Sequence, residues 1–132
     1  MHPLSNEQFA PAIVLNAGER RRLELLALTG AGHGADAADH LLWELDRARV
    51  VPAAPPDDVA RMDSHLVYET GDGRRHVATL VYPDDARLTR GGVSVLSPHG
   101  TALIGLRAGQ TISWLGRDGL ETLHLLGVRQ RP

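Results

Sequence analysis

Seven histidines, two neighbouring aspartates and a Ser-Pro-His turn are the residues of this chain whose types and spacing could do chemistry. His33 and His40 lie seven apart, which on one helix separates them by about 10 Å, too far to share an ion. His65, His76, His99 and His124 fall on different elements, and neither an HExxH nor an HxH pair occurs. No metal site is expected, because zinc needs three or four convergent ligands. Ser97 is close to His99, with Asp84 and Asp85 upstream. Nucleophilic catalysis by Ser also needs a base within reach and an oxyanion hole. A serine that hydrogen-bonds its own turn is the expectation. Asp36 and Asp39 follow a glycine-rich stretch and fit helix capping and negative charge at a helix N-terminus. As tip carboxylates they could also reach a metal ion in a partner's active site.

The stretch GAGHG, from Gly30 to Gly34, invites comparison with a nucleotide-binding loop. A dinucleotide fingerprint follows a strand and opens a helix. Here the glycines follow a helical pattern and the spacing differs, so a turn at a hairpin tip is expected. The chain has no Cys and no Lys. Disulfides, thiolate chemistry, the P-loop lysine and Schiff bases are therefore all excluded. A formal net charge of -2 does not favour nucleic acid as the main partner. No apolar run approaches the roughly 18 residues of a membrane helix, and no signal-peptide pattern opens the sequence.

The elements that must position these residues read as an α+β arrangement. Pro11 to Leu15 is a short apolar lead-in. Asn16 with Glu19 three residues on has the form of a capping box, predicting a helix to about Thr29. Leu23 and Leu26 are three apart, Leu25 and Leu28 repeat that spacing, and Arg20 to Arg22 stay solvated. Asp36 is read as the cap of a second helix. Ala38, Leu41, Leu45 and Ala48 then follow the 3-4-3 spacing of a coiled-coil seam. Two such helices form a short antiparallel hairpin, each arm roughly 20 Å long.

Val50 to Asp58, VVPAAPPDD, reads as a proline-rich, semi-rigid linker. Beyond it, strands are expected near 64–70, 75–82, 93–96, 111–115 and 120–128, with a short helix over 101–106. The divisions are thus 1–49 for tail and hairpin, 50–58 for the linker, and 59–132 for a sheet domain.

Several separated blocks, LDRA (45–48), DVARMDS (58–64), TLVYP (79–83) and SPHGTALIGLRAGQ (97–110), carry a resemblance. From about Pro11 onward the chain resembles the Rnk-type branch of the GreA/GreB transcription elongation factor family, often labelled nucleoside diphosphate kinase regulators. The resemblance implies an N-terminal antiparallel coiled coil and an FKBP-like antiparallel sheet domain with one short helix. It implies bacterial RNA polymerase as the partner, with the C-terminal domain docked on the rim of the secondary channel. The docking turn of the family corresponds here to Ser97 and Pro98, with His99 and Gly100 adjoining. Leu96 stands where Gre factors often carry an acidic or polar residue. The hairpin tip corresponds to His33, Asp36 and Asp39, on arms shorter than those of the cleavage factors. A non-catalytic regulator of transcription in the cytoplasm is expected, with no cofactor, no membrane, no small-molecule substrate and at most secondary contact with DNA. FKBP isomerases place a Trp at the start of their short helix. The matching position here is His99 and the chain is poor in aromatics, so prolyl isomerase activity is an alternative ranked below polymerase binding, as is a general protein-interaction adaptor.

Overall fold

A computed structural model describes residues 10–29 and 35–131. The strand β1 (Val14–Asn16) leads directly into helix α1 (Ala17–Thr29). Asn16 caps the helix: its side-chain oxygen accepts from the backbone N–H of Gly18 at 2.9 Å and of Glu19 at 3.3 Å. Glu19 does not complete a capping box. It lies on the face of α1 that packs inward and is 4% exposed, and burial raises its pKa against the opposing charge of Arg61.

The inward stripe of α1 is Glu19, Leu23 and Ala27, supported by Leu26. A helix can turn only one such stripe to a core. Leu25 and Leu28, the other leucine pair, are accordingly 57% and 64% exposed. Arg21 and Arg22 face solvent, whereas Arg20 is half-buried and donates to the Leu45 carbonyl at 3.2 Å.

Helix α2 (Ala35–Arg47) returns against α1. Leu41 and Leu45 are fully buried and Ala38 and Ala48 pack against them, so the 3-4-3 stripe faces inward. The helix begins at Ala35, so Asp36 sits in its first turn rather than at its cap. There its carboxylate acts through its charge on the helix N-terminus. The glycine turn and His33 lie outside the described residues.

The segment read as a linker begins as strand β2 (Arg49–Val51), paired parallel with β1 from Val14↔Arg49 to Asn16↔Val51. The Asn16 side-chain amide donates to the Ala53 carbonyl at 3.1 Å, and Pro55 is buried. The base of the hairpin is therefore fastened, and the Val14 N–H extends that fastening to the Gly105 carbonyl at 3.1 Å.

The main sheet is built from β3 (His65–Thr70), β4 (Arg75–Val81), β5 (Gly92–Ser94), β6 (Thr111–Gly116) and β7 (Gly119–Arg129), in the order β5-β4-β3-β7-β6. It is mixed rather than wholly antiparallel, because β5 runs parallel to β4. The loop after β4, with its 3-10 turn at Pro83–Asp85, brings the chain back to the level of Thr79 before β5 starts. A bulge in the β3–β7 pairing beside Val67 and Tyr68 adds local twist. Helix α3 (Pro98–Leu103) lies between β5 and β6 in the chain.

One core joins both halves. Leu23, Leu41 and Leu45 of the hairpin are in a single cluster with Leu66, Tyr68 and Leu80 of the sheet and Leu103 of α3. The sequence blocks around Asp58–Ser64 and Gly105–Gln110 build the floor of this assembly. Asp58 pairs with Arg107 at 3.0 Å, and the Ala60 N–H donates to the Leu106 carbonyl at 2.8 Å. The Ser64 hydroxyl accepts from the Arg61 N–H at 2.9 Å and hydrogen-bonds Gln130 at 2.8 Å. No helix among the described residues is long and apolar enough to cross a membrane.

Candidate docking site

Ser97 and Pro98 open α3, three residues earlier than the sequence pattern predicts for the helix. The difference has a local cause that the sequence contains. Ser97 occupies the N-cap, its hydroxyl accepting from the Gly100 N–H at 3.1 Å, and Pro98 takes the first helical position. The same hydroxyl donates to the Ser94 carbonyl at 2.6 Å. Ser97 thus hydrogen-bonds its own turn both as donor and as acceptor.

Gly100 lets this turn sit directly on the preceding strand. A Cβ at that position would overlap the Ser94 carbonyl oxygen and stand 2.6 Å from its carbon and 2.9 Å from Val95 Cα. The Thr101 hydroxyl, buried, donates to the Val95 carbonyl at 2.6 Å and locks the approach from the next residue. Pro98 is left exposed at the top of a rigid turn.

His99 points into a cluster of rings. Its Nδ1 is 3.2 Å from the Tyr68 hydroxyl, and its ring meets those of Tyr68, His76 and Trp114 edge-on at 5.6, 5.8 and 6.2 Å. Tyr68 stacks on His76 at 4.8 Å, and His40 of α2 approaches Trp114 from the other side at 6.3 Å. Burial lowers the pKa of His99, assisted by the neighbouring His76 and opposed by the Glu121 and Asp72 carboxylates. Burial also lowers the pKa of His40 and raises that of the Tyr68 hydroxyl. The neutral imidazole is therefore the form that this cluster favours.

The scarcity of aromatics in the sequence had argued against an aromatic pocket, yet the fold gathers Tyr68 and Trp114 around His99. Tyr68 is only 2% exposed, and His76, His99 and Trp114 line an open cavity together with Asp72, Arg74 and Glu121. Trp114 and Glu121 are the site residues that sequence reasoning missed. They face each other across β6 and β7, and the hairpin turn at Gly116–Gly119 was the one available signal.

One residue from each group expected to carry function, Asp36 and Pro98, reaches the same cleft. Asp36 and His40 of α2 line one cleft together with Leu96 and Pro98 of the turn, and Trp114 and Glu121 complete it. Asp39 is exposed further along α2 and lines a separate surface with Leu28 and Trp43. Among the described residues, no group of three or more His, Asp or Glu side chains is placed to hold a metal ion. What the cleft offers is a rigid proline turn, an apolar and aromatic wall, and carboxylates at its rim, which suits docking against a protein surface.

The C-terminal model of the transcription elongation factor GreA/GreB family matches residues 55–130. The chain is 37% identical over 125 residues, 92% of each chain, to the regulator of nucleoside diphosphate kinase of Escherichia coli K12. The regulator of the same name in Shigella flexneri matches to the same extent. Among solved structures, a prokaryotic transcription elongation factor GreA/GreB from Nitrosomonas europaea superposes with a TM-score of 0.67 at 32% identity. That match covers 89% of this chain and 98% of the other.

Proposed function

The chain belongs to the GreA/GreB family of transcription elongation factors, and from that premise we propose that it binds bacterial RNA polymerase at the secondary channel as a non-cleaving regulator. The C-terminal domain docks at the channel rim through the turn that Ser97, Pro98, His99 and Gly100 build, with Pro98 as its outward contact, and the helical hairpin faces the channel. The observation that carries this reading is the construction of the turn. Its serine and glycine are spent on holding its shape, which leaves Pro98 as a fixed, exposed contact beside Leu96.

The helices support the absence of cleavage. Each is 13 residues long, or about 20 Å at 1.5 Å per residue. The cleavage factors of the family carry acidic tips on a longer coiled coil. An arm of this length, seated on the sheet's own core, stops short of the catalytic magnesium when the C-terminal domain is docked at the rim. Asp36 then serves the helix N-terminus and the cleft, and Asp39 the solvated face of α2, rather than a metal ion. His99 stands where the isomerases carry Trp, and the cavity beside it is rimmed by the charges of Asp72, Arg74 and Glu121 rather than closed by an aromatic wall, so no prolyl isomerase activity is expected.

Retention of core polymerase by the immobilised protein tests the docking turn. Changing Ser97 and Pro98 together to Ala should weaken retention by roughly several-fold to a hundredfold, the effect of losing one or two good interface contacts. Because Ser97→Ala also removes the helix N-cap, at a cost of about 0.5–2 kcal/mol, Pro98→Ala alone is the companion variant, and unchanged retention by both would move the interface elsewhere.

A further inference from the structure

A second groove runs beside the docking cleft, between α2 and the β6–β7 hairpin. Trp43 of α2 faces Trp114, Leu115 and Leu120, with Ala10 and His40 between them. Trp43, Leu115 and Leu120 are 48%, 83% and 57% exposed. Leu115 and Leu120 are direct cross-strand partners at the end of a two-residue turn, which needs neither leucine in order to form. A contiguous apolar surface of this kind marks a contact site.

The charges around the groove are of one sign for the most part. Asp36 of α2 and Asp118 and Glu121 of the hairpin line the adjoining cleft, which shares His40, Trp114 and Leu115 with the groove, and Arg117 is the one cation that lines it with them. Arg47 does not offset them, because it is already engaged. It meets the Glu44 carboxylate at 2.6 Å and the Ala10 and Pro11 carbonyls at 3.3 and 2.5 Å, and its guanidinium lies 5.4 Å from the centre of the Trp43 ring. The strand on the groove side, β6, is an edge of the sheet. Its outer backbone groups can pair with an added extended segment.

We infer that this groove docks an extended segment of a partner protein in which leucine-like residues alternate with arginine or lysine. Apolar side chains of the segment fill the space between the two tryptophans and the leucine pair. Its cations meet the carboxylates of α2 and of the hairpin turn, and an arginine also gains from the indole faces. The groove shares His40, Trp114 and Leu115 with the neighbouring cleft but none of Ser97, Pro98, His99 or Gly100, so a peptide assay without polymerase tests it apart from the docking turn.

The test uses the full chain and a fluorescein-labelled peptide of alternating Leu and Arg, read by anisotropy. Peptides of alternating Leu and Glu, and of Ser and Arg, are the controls. The Leu-Arg peptide should bind, and both controls should bind at least about tenfold more weakly. Leu115→Ser with Leu120→Ser should lower affinity by a similar factor, and Trp43→Ser should repeat that loss through a different element. Asp118→Asn with Glu121→Gln should cost several-fold at low salt, with the gap closing at high salt. All these side chains are exposed or half-buried, and matching melting curves establish that the variants are folded. The inference is overturned if the Leu-Arg peptide fails to bind, if a control binds equally well, or if the leucine variant binds like the parent. It is overturned too if the unliganded protein is a dimer that the leucine variant makes monomeric, since a second copy is then the occupant.

Discussion

Gly100→Ala should unseat the docking turn, although alanine is the better helix former. The new methyl would overlap the Ser94 carbonyl oxygen and lie 2.6 Å from its carbon and 2.9 Å from Val95 Cα, all of them backbone atoms. Ordinary carbon contacts are at about 3.5–4.0 Å, so α3 must lift away from the strand. Lifting breaks the bonds from Ser97 to Ser94 and from Thr101 to Val95, each 2.6 Å long. Two such bonds contribute about 2 kcal/mol together, and residual overpacking adds about 1–3 kcal/mol. The helix propensity of alanine returns at most about 1 kcal/mol. The net loss is about 2–4 kcal/mol, or roughly 8–16 °C in melting temperature for a domain of this size. Thermal and urea melts followed by circular dichroism measure it directly. A variant that melts within about 1 kcal/mol of the parent would refute the claim that contact between α3 and the strand fixes the turn.

Three further outcomes follow from the same geometry. His40 and His99 have pKa values lowered by burial, so their contribution to stability is complete above the unfolded value of about 6.5 and declines as pH falls from there toward the folded values; melting temperature should drop over that interval, and His99→Phe should flatten the drop if the imidazole is its source. Glu19 has the opposite sign, because burial raises its pKa above 4.5, so the buried carboxylate costs most at high pH; Glu19→Gln should melt above the parent at pH 8, and the gap should narrow as pH falls through the raised value toward 4.5. Purified protein added to stalled, backtracked transcription complexes should release no cleavage product, while Asp36→Ala, which loses only a helix-end charge, should cost about 0.3–1 kcal/mol in a melt.

The strands were legible because alternating residues such as Val77 to Tyr82 can satisfy only one periodicity, and Gly71-Asp72-Gly73 and the turn before Gly119 punctuate them. The parallel placement of β5 was not legible. It depends on how the loop from Tyr82 to Gly91 travels, and no local propensity records that path. The docking helix was placed too late because apolar Thr101 to Leu106 outweighed the Ser-Pro start at Ser97, although N-cap chemistry marks the true beginning. The prolines of the linker concealed that Arg49–Val51 pairs with β1, a contact made across the whole hairpin. Trp114 and Glu121 carried no sequence signal as site residues, since only the closing of the sheet brings them beside His99 and Pro98.

Competition for the polymerase tests the central claim most directly. Core polymerase loaded with a labelled Gre cleavage factor is titrated with this protein, and release of the label is followed. The account predicts saturable displacement by the parent and markedly weaker displacement by the Ser97→Ala, Pro98→Ala variant. If the protein binds the polymerase while the labelled factor stays in place, or does not bind it at all, the secondary-channel assignment is contradicted.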